Sequence, residues 1–263
     1  MIIQSPNDVA FNLFGISIYW YGIIMAFGIF IAIITANNLF NFKNSRGKDI
    51  ILDSAPIIII FGILFARIYF CLLNADYYFS HPIKILDIRE GGLSIHGAIL
   101  GGIFSTILMV KKYKFPFLKI IDPIACSTIL GQAIGRWGNY FNSEAYGYPT
   151  LSQNWGLFIP SSKRISEFSN YSLFHPTFLY ESILDLFAFF ILLFIYKKTN
   201  SSGLTFFSYL TIYATIRFFI EKIRIDSALN VGSIPIAELI SIILFITGIL
   251  GLIFVLKKEK AGL

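Results

Sequence analysis

Between residues 17 and 256 the sequence is a succession of seven apolar blocks, roughly 17–40, 51–73, 93–110, 117–138, 175–196, 204–222 and 233–256. Each is close to the ~20 residues that cross a bilayer as a helix. The second and fourth blocks are the least clean, since they hold Asp53 and Arg67, and Lys119, Asp122 and Arg136. Charged residues make up only 14% of the chain, against about 25% in a soluble domain. The predicted fold class is therefore an all-α polytopic membrane protein, a single integral membrane domain over residues 1–263. The opening MIIQSPNDVAFN has no basic stretch ahead of its apolar residues, so no cleavable signal is expected and the first block should stay as a span.

Loop charge predicts the orientation. Basic clusters at Lys43, Arg46 and Lys48, at Lys111, Lys112 and Lys114, at Lys197 and Lys198, and at Lys257, Lys258 and Lys260 fall in every second inter-span segment. The alternate segments are poorer: none in the N-terminal tail, Lys84 and Arg89, then Lys163 and Arg164 in a longer loop. By the positive-inside rule the N-terminus is outside and the C-terminus cytoplasmic. The alternation across all seven blocks supports the count. It also leaves a longer outer loop, 139–173, between helices four and five, as a cover, a docking surface or a plain connector.

The net charge of +6 comes from these loops rather than from a basic stripe, so nucleic acid is not an expected partner. Cys71 and Cys126 lie in apolar surroundings with no metal-ligand spacing, and packing accounts for both. No internal repeat or pair of broken helices of the transporter kind is visible.

With this topology the unusual polar residues converge on one leaflet. They are Tyr21 in the first span, Arg67 in the second, His96 in the third, and Arg136 with Asn139 at the end of the fourth. The fifth adds His175, Tyr180 and Glu181, the sixth Tyr213, Arg217 and Glu221, and the seventh Glu238. An ionised side chain at a helix centre costs about 2.5–3.5 kcal/mol on insertion scales, so such residues face a protein interior or polar chamber. Of seven Arg and fourteen Lys, Arg67, Arg136 and Arg217 lie within or at the rim of spans, while no Lys occupies a mid-span position. Their planar fork suits a phosphate or carboxylate. A lipid headgroup anion accounts for the set, while pairing with Glu181, Glu221 or Glu238 accounts equally well for any one of them. Arg217 and Glu221 are already an i, i+4 pair. Gly131 and Gly135 have the GxxxG spacing of close helix packing. The glycines around His96 (91, 92, 97, 101 and 102) permit either packing or irregular backbone lining a cavity.

HGAILGG from His96, GRWGNYFNSEAYG from Gly135, HPTFLYE from His175 and IRFFIEKIR from Ile216 follow one another in this order. Together they resemble the bacterial phosphatidylglycerol–prolipoprotein diacylglyceryl transferases, and the resemblance runs from Tyr19 to about Glu238. It implies transfer of diacylglyceryl from phosphatidylglycerol to the lipobox cysteine thiol of a prolipoprotein signal peptide, forming a thioether and releasing glycerol phosphate. It also implies the bacterial cytoplasmic (inner) membrane, with the site toward the outer leaflet. The resemblance makes Arg136 and Arg217 critical and implicates His96, Asn139, Gly147, Tyr21 and Tyr213. Glu144, Arg67 and Glu221 are the further substrate-site candidates. Two positions depart from the pattern. Ala98 replaces a usual glycine, and Glu238 stands where glutamine is expected, which bears on its local pairing.

The chemistry is consistent with that implication. A free thiol with pKa near 8.5 is only a few per cent thiolate at neutral pH. Attack on a glycerol carbon needs the thiolate and a stabilised phosphate leaving group. The arginines can supply the second, and His96, or arginine-assisted ionisation without a true base, the first. No metal or cofactor is required. A transporter would need polar groups toward the cytoplasmic side, where only Asp53, Asp122 and Asp185 stand out, and Ser94 lies too near His96 in sequence for a protease pair.

Overall fold

The computed structural model describes residues 1–44, 49–88, 91–152, 154–225, 230–231 and 234–260. Arg46 and Lys48 of the first basic cluster, and Arg89 and Glu90 ahead of the third span, lie outside the described residues. Most of the described residues lie in eight α-helices: α1 (Trp20–Lys43), α2 (Ile50–Leu73), the short α3 (Ala75–Ser80), α4 (Ile95–Tyr113), α5 (Phe117–Asn142), α6 (Thr177–Lys198), α7 (Leu204–Ile223) and α8 (Ile236–Lys260). Every apolar block of the sequence is thus a helix, displaced by a few residues at its ends.

Among the described residues, six of the seven long helices are long and apolar enough to cross a membrane, and α7 is not one of them. The reason lies in its composition. Arg217, Glu221 and Lys222 share twenty residues with several threonines and tyrosines. The fold is that of a helical multi-pass membrane protein. Exposed apolar faces, such as Phe187, Phe190 and Phe194 on α6 and Ile243, Leu250 and Phe254 on α8, suit lipid contact rather than water.

The described residues fall into two compact units, with the division inside α1 and α5. In the unit made of residues 1–35 and 122–263, α1 and α5 touch backbone to backbone. A Cβ on Gly28 would stand 3.1 Å from the Gly131 carbonyl, and one on Gly135 would stand 3.1 Å from Met25 Sδ. The GxxxG spacing therefore serves helix packing. On the far side of the unit, Gly248 and Gly251 admit Thr211 and Phe207 of α7. Asp122 tethers the start of α7: its two carboxylate oxygens accept the N–H groups of Gly203 (2.6 Å) and Phe206 (2.8 Å). Two otherwise orphaned helix N-terminal donors are satisfied in this way, and the negative charge sits at the positive end of the helix.

This unit also carries β structure that the apolar pattern did not announce. Strand β1 (Ile2–Gln4) pairs in parallel with β4 (Gly156–Phe158), and β4 pairs antiparallel with β5 (Leu173–Phe174). Between β1 and α1 lies a hairpin of β2 (Val9–Leu13) and β3 (Ile16–Tyr19). Strands β6 (Asn230–Val231) and β7 (Ile234–Pro235) pair just before α8. Tyr146, Leu157, Ile159, Phe174 and Phe178 form a buried cluster under the three-stranded sheet. Residues of the 139–173 stretch, together with β1 and β5, thus form a small folded cap over this cluster.

The unit of residues 36–121 is built on α2 and α4. Gly97 and Gly101 lie against the backbone of Phe65–Ala66 and Phe61–Gly62, where any Cβ would collide. Asn37 and Asn41 hold Asp49, at 2.7 and 3.0 Å, and Asn37 accepts the Leu52 N–H at the start of α2. Both cysteines are buried free thiols, Cys71 in this unit and Cys126 in the other.

Candidate functional site

α5, α6 and α7 each place ionised residues on facing surfaces. Glu181, in the first turns of α6, is 2% exposed and stands between two arginines. Arg136 Nη2 of α5 lies 2.6 Å from its Oε1, and Arg217 Nη1 of α7 lies 3.4 Å from its Oε2. The other amino group of Arg217 donates to Glu221, one turn further along α7. The contact from Arg136 is close but not aligned as a hydrogen bond, since Glu181 Oε1 makes none. Tyr213 is on the same face of α7, within reach of the charges of both arginines and Glu181. Its ring stacks on Tyr209, whose hydroxyl reaches Gln132 of α5 at 3.3 Å.

The Gly135–Gly147 segment builds the end of α5 and the turn beyond it. Asn139 donates to Glu144 at 2.9 Å, Asn142 donates to the same oxygen at 3.2 Å, and the Glu144 N–H returns to the Asn139 carbonyl. This clasp ends the helix while Ser143 and Ala145 take left-handed backbone, φ 51° and 56°. Such conformations are uncommon for residues with a Cβ, so the side-chain clasp is what holds them. Tyr21 of α1 packs its ring on Gly138, where a Cβ would stand 2.7 Å away, and lies in electrostatic range of Glu144 and Arg136. Gly147 is wedged between His175 and Ile223. Its N–H donates to the His175 carbonyl, and a Cβ would meet both neighbours at 3.0 Å. Its place in the chain is that of a close approach, not of a side-chain ligand.

The structure thus brings Arg136, Arg217, Tyr213 and Glu221 together, with Asn139, Glu144, Tyr21 and Gly147 on the adjoining turn. Arg67, expected among the headgroup ligands, has a different kind of surrounding. It belongs to the unit of α2 and α4, where its Nε donates to Ile85, Nη1 to Gly91 and Gly92, and Nη2 to Lys84 and Asp87, all carbonyls at 2.6–3.1 Å. All five donors of the guanidinium are engaged, and it also faces the rings of Tyr78 and Phe70. Arg67 thereby ties the carbonyls of Lys84, Ile85 and Asp87 to those of Gly91 and Gly92. His96 is in the first turn of α4, half-buried, with its ring 5.8 Å from that of Tyr69. Gly97 and Gly101 pack against α2, while Gly91 and Gly92 take positive φ of 90° and 77°. Glu238 pairs with Lys222 at 2.6 Å rather than with a chamber arginine.

Sequence reasoning treated Glu181 only as a possible arginine partner and placed Asp185 among the unplaced cytoplasmic-side acids. Both are central. Their signal is the i, i+4 spacing in ESILD, which puts two carboxylates on one face of an apolar helix.

A multi-pass helical protein with a buried, charge-paired cluster inside its helices is a membrane-embedded protein equipped to handle an ionic group. The chain belongs to a known family of that class: residues 8–254 match the family model described as Prolipoprotein diacylglyceryl transferase. It is 42% identical over 262 residues to the phosphatidylglycerol–prolipoprotein diacylglyceryl transferase of Clostridium novyi (strain NT), covering 97% of this chain and 98% of that one. The corresponding transferase of Prochlorococcus marinus (strain MIT 9301) is 39% identical over 287 residues, 99% of this chain and 96% of that one. That of Trichormus variabilis is 37% identical over 265 residues, 98% and 93% of the two chains.

Proposed function

We propose that the protein transfers the diacylglyceryl group of phosphatidylglycerol to the lipobox cysteine thiol of prolipoproteins, the first step of bacterial lipoprotein maturation. The sulfur–carbon bond forms as the glycerol carbon–oxygen bond breaks; glycerol phosphate leaves, and the thiol proton is released. In this reading seven helices cross the bacterial cytoplasmic membrane, α7 included, with the N-terminus outside and the site toward the outer leaflet. The alternating loop charge supports that orientation, and the pairing of Arg217 with Glu181 and Glu221 supports burial of α7 despite its polarity.

The carrying observation is that Arg136 and Arg217 share a single buried carboxylate, Glu181. Guanidinium groups held by carboxylates are already oriented for another oxyanion, and a phosphodiester offers the same fork-matching oxygens. Exchange of Glu181 for the donor phosphate on their Nη edges would set both cations at the oxygen that gains charge as the bond breaks. Tyr213 is assigned a place beside that phosphate, and Asn139, Glu144, Gly147 and Tyr21 the shape of the rim. Glu221 keeps Arg217 extended. The thiol proton has two chemical routes, His96 as base or ionisation in the field of the arginines.

The direct test incubates the purified protein with labelled phosphatidylglycerol and a lipobox peptide. A thioether-linked diacylglyceryl peptide is expected; none from a folded, membrane-inserted preparation would overturn the reading. Near-normal turnover of His96→Gln across pH would remove histidine as the base.

A further inference from the structure

Among the described residues, five buried side-chain polar atoms lack a hydrogen bond, and four of them belong to one cluster: Arg136 Nε, Glu181 Oε1 and both carboxylate oxygens of Asp185. Glu181 Oε1 at least has the Arg136 charge beside it. Asp185 is the extreme case. It is 0% exposed, one helical turn from Glu181 on α6, and feels the charges of Arg136, Arg217 and Glu181 without a hydrogen bond to any of them. A buried polar atom left unpaired costs about 1–3 kcal/mol, so an orphan donor and a pair of orphan acceptors within one another's field are not neutral packing. The phosphate reading above employs the Nη edge of Arg136 and leaves both its Nε and Asp185 without a task.

The chemistry that satisfies both is narrow. A second anion would suit Arg136 but be repelled by Asp185 and Glu181. An ammonium would suit Asp185 but be repelled by Arg136 and Arg217. A neutral hydroxyl does both, donating its proton to the carboxylate and accepting from the guanidinium N–H. We propose that Arg136 Nε and Asp185 form a subsite for a hydroxyl of the donor lipid's headgroup, making Asp185 a specificity-determining residue. This rests on the transfer reading, which already names the glycerol headgroup, and adds the residues that select its hydroxyl. A site built to hydrogen-bond a hydroxyl rejects the analogue lacking it, because its own groups are then stranded.

The test compares two donors of equal charge and identical acyl chains, phosphatidylglycerol and phosphatidylpropanol, in vesicles of otherwise fixed composition with the same lipobox peptide. The wild-type protein is expected to favour phosphatidylglycerol by about tenfold or more in kcat/KM. In Asp185→Leu, which keeps much of the volume but offers no acceptor, that ratio should collapse toward unity. Equal use of the two donors by the wild type would overturn the proposal and leave the orphans to bound water. So would an Asp185→Leu variant that keeps the full ratio. The wild-type comparison decides the matter even if the variant does not fold. Transfer from neither donor by the wild type would instead defeat the transfer reading itself.

Discussion

Arg67 and Arg136 present the same guanidinium to protein interiors, yet their partners are opposite in kind. Arg67 is held by five backbone carbonyls from residues 84–92, so its charge is dispersed over fixed dipoles and none of its donors is free. Arg136, like Arg217, is held by a carboxylate, and its Nε makes no hydrogen bond at all. A carbonyl cage defines a loop and cannot be exchanged without unmaking it. A carboxylate can give way to another oxyanion at little geometric cost. The number of donors left over, rather than depth or charge, separates an arginine that builds the fold from one that can serve a substrate.

This contrast can be broken by substitution, most severely at Arg136. Arg136→Lys keeps the charge and loses the fork. Transfer should fall by about 10²–10³-fold with membrane insertion intact, in line with the loss of an oriented donor at a developing oxyanion. Full activity in that variant would end the claim of fork recognition. Next comes Glu181→Gln, which removes the shared charge, takes from Arg136 its paired carboxylate and leaves Arg217 with Glu221 alone. Breaking a buried pair costs about 3–5 kcal/mol, so denaturation in detergent should shift down by several degrees. An unchanged melting temperature would mean that Glu181 is not what holds the arginines.

Arg67→Met should act the other way round. It leaves five carbonyls without a donor and lowers stability by about 1–3 kcal/mol, while KM for phosphatidylglycerol in the folded fraction stays within about twofold. A KM rise there with unchanged stability would return Arg67 to the substrate site. The smallest effect is expected for Glu238→Gln. The Lys222–Glu238 pair is half open to solvent, at 53% and 16% side-chain exposure, so thermal denaturation should register less than about 1 kcal/mol.

The helices were legible because a long apolar run has few alternatives in a bilayer, and helix ends moved by only a few residues. The exception is instructive. α7 has the charge that lowers its apolarity because that charge is answered by Glu181 on another helix, information that no single block contains. The two arginine roles were equally hidden. Arg67 and Arg136 read alike in sequence, and only the fold decides whether carbonyls or carboxylates surround them. The cap escaped notice for a different reason. Its strands are two to three residues long, too short for a period-two pattern, and β1 finds its partner across four long helices and about half of the 139–173 segment.

That last pairing also orders events in time. Residues 2–4 leave the ribosome early, but the strand they join, 156–158, is synthesised only after α1, α2, α4 and α5. Long-range β pairing waits for both partners, so the cap is a late product of biogenesis, closed only once the tail and the 156–174 segment are on the same side of the membrane. A bulky fusion ahead of Ile2 would therefore burden the final step of assembly, whereas one beyond α8 would leave that step alone.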